Sequence, residues 1–203
     1  RIEHPLISMR IFESSHFRIS FIAQNCLFAS FMGITLIVPL YVQGLCGGSA
    51  VEAGLVFIPA TILAVVVNPL AGILSDKVGA RPVVLVAAVL LAVGAVSMAF
   101  MDENTPLWMT TLLQTVRGMG VSALIGPLNS WGMSGLPRGI MMDASAFFAA
   151  VRQACASLGT AIMVLAITSL SAAAQSGAMS LALAYQAAFG ISAVLAACVL
   201  VVA

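Results

Sequence analysis

Residues 72–82 read Gly72-Ile73-Leu74-Ser75-Asp76-Lys77-Val78-Gly79-Ala80-Arg81-Pro82, between two long apolar runs. Each residue type has a local physical task. Gly72 has no side chain, so a neighbouring helix is expected to approach it closely. Asp76 is expected to cap the next helix and complement its dipole. Gly79 supplies the backbone freedom of a tight reversal. Pro82 suits a first helical turn, where its missing N–H is no loss. Lys77 and Arg81 place two cations at one membrane face and mark that face as cytoplasmic. By itself the stretch is a short charged loop joining two membrane helices.

Composition sets the class around this loop. The chain has 203 residues, of which 62% are hydrophobic and 7% charged, and its mean hydropathy is +1.13. Soluble domains carry about 25% charged residues, so this chain is read as an integral membrane protein. The net charge of +1 and the absence of a basic tract give no reason to expect nucleic acid. Cys26, Cys46, Cys155 and Cys198 show no metal-ligand spacing, and a cysteine in an apolar run is usually a small hydrophobe. The chain starts at Arg1 and stops at Ala203 inside an apolar run, so it reads as a piece of something longer. No secretory signal or targeting tail is recognised.

Six apolar runs are placed at 18–42, 52–74, 82–101, 106–130, 144–170 and 181–203. Each reaches the ~20 residues of a spanning helix. The expected fold is therefore an all-α membrane protein of six transmembrane helices. Residues 1–17 form a cytoplasmic linker or an interfacial helix, and 18–203 form the bundle. Arg1, Arg10 and Arg18 precede the first run, Lys77 and Arg81 follow the second, and Arg138 follows the fourth. The other loops carry only Glu52, Asp102 and Glu103 as charges. That asymmetry places both chain ends in the cytoplasm.

Polar residues concentrate in the first, fourth and fifth runs, while the third has only Ser97 and the sixth, beyond Gln186, only Ser192. A lipid-facing helix must be apolar, whereas a cavity-lining one can carry polar groups. The third and sixth runs are thus expected at the periphery and the first and fourth at the centre, a period of three. Ala146, Ala150 and Ala154, and Gly118, Ser122 and Gly126, recur every four residues, a spacing that allows close helix packing in lipid.

Gly72, Asp76, Lys77, Gly79 and Arg81 stand at the positions of the pattern G-x-x-x-D-[RK]-x-G-x-[RK]. In this the chain resembles the major facilitator superfamily. His4-Pro5-Leu6, Phe12, Phe17, Pro39-Leu40-Tyr41, Ala53-Gly54-Leu55 and Pro59 extend the likeness. So do Arg117-Gly118-Met119-Gly120, Gly126-Pro127-Leu128-Asn129, Arg152-Gln153 and Gly159. Together they resemble the last six helices of the fourteen-helix drug:proton antiporter branch. The resemblance implies half of a major facilitator bundle, built as two inverted three-helix repeats. It also implies secondary transport by alternating access, with proton-coupled efflux of small organic compounds. The loop pattern then acts in switching conformation. The implied partners are the bilayer, substrate, protons, and a missing N-terminal half or a second copy; the implied location is the cell membrane. No cofactor is expected. The alternatives are a non-transporting half or structural subunit, and a pore.

Arg117 is the most informative candidate residue. It lies about ten residues into its run, roughly 15 Å from the outer end, where an arginine costs about 2.5–3.5 kcal/mol on insertion scales. Thr110, Gln114 and Arg117 share one helix face. Arg117 either faces a wet cavity or braces the bundle by binding carbonyls. Arg152 either faces the same cavity or snorkels to the cytoplasmic surface, which its long stem favours. Gln24, Phe28, Phe31 and Thr35 form a mixed stripe suited to an amphipathic ligand or to ordinary helix packing. Asn25 and Asn129 complete the cavity candidates. No Asp or Glu lies deep in a run, and no nucleophile–base–acid set or metal-ligand cluster is present, so no enzyme is expected.

Overall fold

The computed structural model describes residues 12, 14–175 and 180–202, with only the backbone of Arg138. Most of the segment 1–17, expected as a linker or interfacial helix, lies outside the described residues. Among those described, the regular structure is entirely helical: α1 (Ser15–Gly44), α2 (Ala50–Leu55), α3 (Ile58–Val78), α4 (Ala80–Met98), α5 (Leu107–Ser134), a 3-10 turn (Arg138–Ile140), α6 (Met141–Gln175) and α7 (Leu181–Val202). Five stretches are long and apolar enough to cross a membrane on composition alone: α1, α2 and α3 taken together, α4, α6 and α7. The remaining span, α5, has 28 residues, and its lower hydropathy follows from the polar face of Thr110, Gln114 and Arg117.

The second span is not one straight helix. Ser49 caps α2, accepting from the Glu52 N–H while the Glu52 carboxylate accepts from the Ser49 N–H. This reciprocal arrangement satisfies two otherwise orphaned donors. The chain then turns at Val56 and Phe57, and α3 starts again with Pro59 in its first turn, where proline is tolerated.

The loop of residues 75–81 is shorter than expected. Helix α3 runs through Ser75, Asp76 and Lys77, and only Gly79 separates it from α4. Gly79 has φ +93°, a backbone conformation that side chains oppose. Asp76 therefore sits in the last turn of α3 and does not cap α4, whose start has no side-chain cap. Gly72 corrects a second expectation: no neighbouring atom lies within 4 Å of where its Cβ would be. Ala146, Ala150 and Ala154 are exposed and meet no helix among the described residues. The other small-residue stripe does: Gly118 meets Ala60 of α3, and Gly126 meets Asn68.

Helices α1 and α5 form the centre and touch each other. Helix α1 packs on α6 and α7, and α5 packs correspondingly on α3 and α4. Helices α4 and α7 meet behind them. Exchanging α1 with α5, α3 with α6, and α4 with α7 maps this contact pattern onto itself, as two inverted three-helix repeats require. Backbones approach closely where side chains are missing. A Cβ on Gly120 would lie 2.5 Å from the Leu91 nitrogen of α4, and one on Gly159 would lie 2.5 Å from the Ala29 backbone of α1.

The apolar spans α4 and α7, expected at the periphery, meet each other behind the central pair and are not the least covered. Half of the α4 window is buried, against 17% for α2–α3 and 22% for α6. The flanking spans α3 and α6 thus leave most of their surface unpartnered.

Candidate functional site

The mixed stripe of α1 lies where α1 is open between α5 and α6. At one edge Gln24 is buried and its Nε2 donates to the Ile125 carbonyl of α5 at 3.2 Å. At the other edge Phe28 meets α6, where the guanidinium carbon of Arg152 lies 4.6 Å from the Phe28 ring centroid. Phe31 stands edge-on to Phe28 at 6.4 Å, and Thr35 is exposed one turn further. Its hydroxyl donates to the Phe31 carbonyl, so it carries no unpaired donor into the face.

Helix α5 carries a separate polar stripe near the side that meets α3 at Gly118 and Gly126. Thr111 and Ser122 are half-buried and Asn129 is exposed. They fall on one side of the helix by its 3.6-residue period. They lie roughly opposite Gly120, which packs on α4.

Three of the candidates are placed elsewhere, and a fourth, Gln24, is closed off at the edge of the stripe. Arg117 is fully buried; its Nη2 donates to the Ser30 carbonyl of α1 at 3.1 Å. Its Nε and Nη1 have no hydrogen-bond partner among the described residues. A Cβ on Gly94 of α4 would lie 2.7 Å from the Arg117 Cβ, so α4 closes over this side of α5. The geometry is that of an arginine enclosed by helices and holding a carbonyl. Gln114 lies on the same face, 2% exposed, with its Oε1 unpartnered. Gln24 is held by α5 as described. Asn25 donates to Phe21 of its own helix and lines a separate groove of about 240 Å³ between α1, α6 and α7, with Cys26, Cys155 and Gly159.

A buried polar thread continues from Arg117. Ser30 lies with its Oγ 2.8 Å from the Ser192 Oγ of α7. One residue pair thus connects the two central helices, and the next connects α1 to α7. Ser192 was the one polar residue noted in its apolar run; its partner became evident only when α1 and α7 were brought together.

The charged ends of the bundle are segregated. Asp76, Lys77 and Arg81 are exposed at the α3–α4 junction, the same end as Arg18 near the start of α1. Glu52, Asp102 and Glu103 are exposed at the opposite end. That end is tied by the Tyr41 hydroxyl, which donates to the Asp102 carbonyl at 2.6 Å, and by Gln186, which donates to the Met101 carbonyl at 3.0 Å. Among the described residues no group of three or more His, Cys, Asp or Glu gathers in a way that could hold a metal ion.

Comparison with known proteins bears on this architecture. The family model of the Major Facilitator Superfamily matches residues 2–160. The lincomycin resistance protein LmrB of Listeria monocytogenes is 27% identical over 171 residues, covering 84% of this chain and 36% of that protein. The multidrug export protein EmrB of Haemophilus influenzae is 27% identical over 168 residues, 79% of this chain and 32% of that protein. The riboflavin transporter RibZ of Clostridioides difficile is 27% identical over 162 residues, 79% of this chain and 35% of that protein. The chain thus spans about a third of the length of these relatives. With six spanning helices in two inverted repeats and a family match over most of its length, it is a multi-pass membrane protein that belongs to the Major Facilitator Superfamily.

Proposed function

We propose that this chain supplies one six-helix half of a secondary active transporter that exports small organic compounds in exchange for protons. The observation that carries this reading is the partly open stripe of α1, where Phe28 and Phe31 lie beside the half-buried Arg152 of α6. An apolar wall with a few placed polar groups suits amphipathic organic molecules. The family match supports transport, and the names of LmrB and EmrB support efflux of drug-like compounds. Alternating access in this fold rocks two halves about a midplane site; here a further half, or a second copy, covers α3 and α6.

In this reading Arg117 braces the half-bundle, and the loop of Gly72, Asp76, Lys77, Gly79 and Arg81 helps to hold one of the alternating states. The proton carrier is a carboxylate of the other half, because arginine stays protonated at any physiological pH. The protein resides in the cell membrane with the Lys77 and Arg81 end in the cytoplasm.

The test is reconstitution of the complete protein in liposomes with an imposed pH gradient. Accumulation of a drug-like fluorescent substrate that collapses with the gradient is the expected result. Passive, saturable flux unaffected by pH would refute proton coupling, and steady ionic conductance would refute transport in favour of a pore.

A further inference from the structure

Among the described residues, the cation beside the α1 stripe has no anion paired with it. Arg152 lies on α6 with its guanidinium over the Phe28 ring of α1. The guanidinium carbon is 4.6 Å from the ring centroid, within cation–π distance. The guanidinium carries five N–H donors in a planar fork. Among the described residues Arg152 has no hydrogen bond or ion pair, and it meets the Phe28 ring. The preceding acid on α6 is Asp143, nine residues earlier (152 − 143), which is about 14 Å of helix rise and beyond the reach of the side chain. The other described acids, Glu52, Asp76, Asp102 and Glu103, are exposed at the ends of the spans. A half-buried guanidinium with no carboxylate partner among the described residues attracts anions, the more so the less water screens it.

The aromatic side of the pair has its own preference. Phe28 and Phe31 stand edge to face at 6.4 Å and offer apolar area next to the cation. We propose that, on the reading of this face as part of the transport route, Arg152 and Phe28 select aromatic organic anions. The carboxylate of the ligand takes two parallel N–H donors from the guanidinium edge, a geometry specific to arginine. Its ring packs against Phe28 and Phe31. An aromatic cation of the same shape meets a like charge and is disfavoured, and discrimination comes from that repulsion as much as from the fork.

The experiment measures binding and transport of three probes by the complete protein in lipid: 2-naphthoate, its neutral methyl ester, and 2-naphthyltrimethylammonium. Naphthoate is expected to bind at least about tenfold more tightly than the ester, on the scale of one charge-assisted hydrogen-bonded pair, and the ammonium compound more weakly than either. Arg152→Gln removes that margin and leaves ester binding in place. Arg152→Lys keeps part of it, since attraction remains and the fork is lost, and this variant also guards against misfolding as the cause. Phe28→Leu weakens acid and ester together. A margin unchanged in Arg152→Gln, or an ammonium probe bound as tightly as naphthoate, would overturn the proposal. Transport of all three probes without preference would overturn anion selection alone. A complete protein that moves none of them under any gradient would overturn the transport reading with it.

Discussion

Arg117 and Ser30 are joined across the two central helices: Nη2 of Arg117 on α5 donates to the Ser30 carbonyl on α1 at 3.1 Å, and both residues are fully buried. The contact sits where the two repeats cross. A charge-assisted bond contributes about 1.5–3 kcal/mol, close to the about 2.5–3.5 kcal/mol that an arginine costs at this depth. The two nearly cancel, so the side chain acts here mainly through the space it fills.

Arg117→Met, which keeps most of that volume, should therefore change the unfolding free energy of the complete protein by less than ~1 kcal/mol. Arg117→Ala should cost about 2–5 kcal/mol, as large-to-small changes in packed interiors do. Thermal unfolding in detergent measures both. Equal damage from the two variants would mean that the charge itself is required.

Ser30 and Ser192 should be energetically coupled. Their hydroxyls are 2.8 Å apart in a buried site, and interhelical hydrogen bonds in membranes average about 0.6 kcal/mol. Ser30→Ala and Ser192→Ala together should cost less than the sum of the single changes by roughly that amount. Strict additivity in the cycle would show that α1 and α7 are held by packing alone.

Two glycines should respond oppositely to alanine. In Gly120→Ala the new Cβ meets the backbone of α4 at Leu91 and Ala87, which cannot yield without moving a helix. About 1–3 kcal/mol of destabilisation is expected, as for overpacked cores. In Gly72→Ala the Cβ meets nothing within 4 Å. The gain in helix propensity, up to about 1 kcal/mol, should leave that variant neutral or more stable. A loss at Gly72 comparable to that at Gly120 would contradict the placement of α3.

Asp76 occupies the last turn of α3, where an acid opposes the helix dipole by about 0.3–1 kcal/mol. Asp76→Asn should leave the folded protein as stable as before or slightly more so. Under the proposed role of the loop, transport per molecule should fall. Reconstituted uptake set against thermal stability separates the two effects, and wild-type transport in the variant would reduce the loop to a connector.

The charged ends predict an orientation. Lys77 and Glu103 are both exposed, at opposite ends of the bundle. In intact cells, a membrane-impermeant thiol reagent should label Glu103→Cys and spare Lys77→Cys. The reverse pattern would invert the topology.

The sequence by itself determined the membrane class, the succession of spans and the end of the bundle that gathers the cations. Hydropathy, loop length and the Lys/Arg asymmetry are local properties, and a chain of this composition has few other ways to satisfy its backbone in lipid. It also determined which residues share a helix face, including Thr110, Gln114 and Arg117, and Gln24, Phe28, Phe31 and Thr35. What covers each face was decided only by the tertiary structure. Gly94 and Gly120 let α4 and α5 approach closely, and α4 closes over one side of Arg117 while Ser30 of α1 holds its guanidinium. For Arg152 the sequence left a cavity and the cytoplasmic surface open; the contact of α1 with α6 places its long stem over Phe28. Asp76 moved from a loop into a helix because Gly79 alone makes the reversal. Periodicity identifies a face, but the atom that meets it comes from a residue distant in the chain, and that pairing is set by helix crossing and close packing.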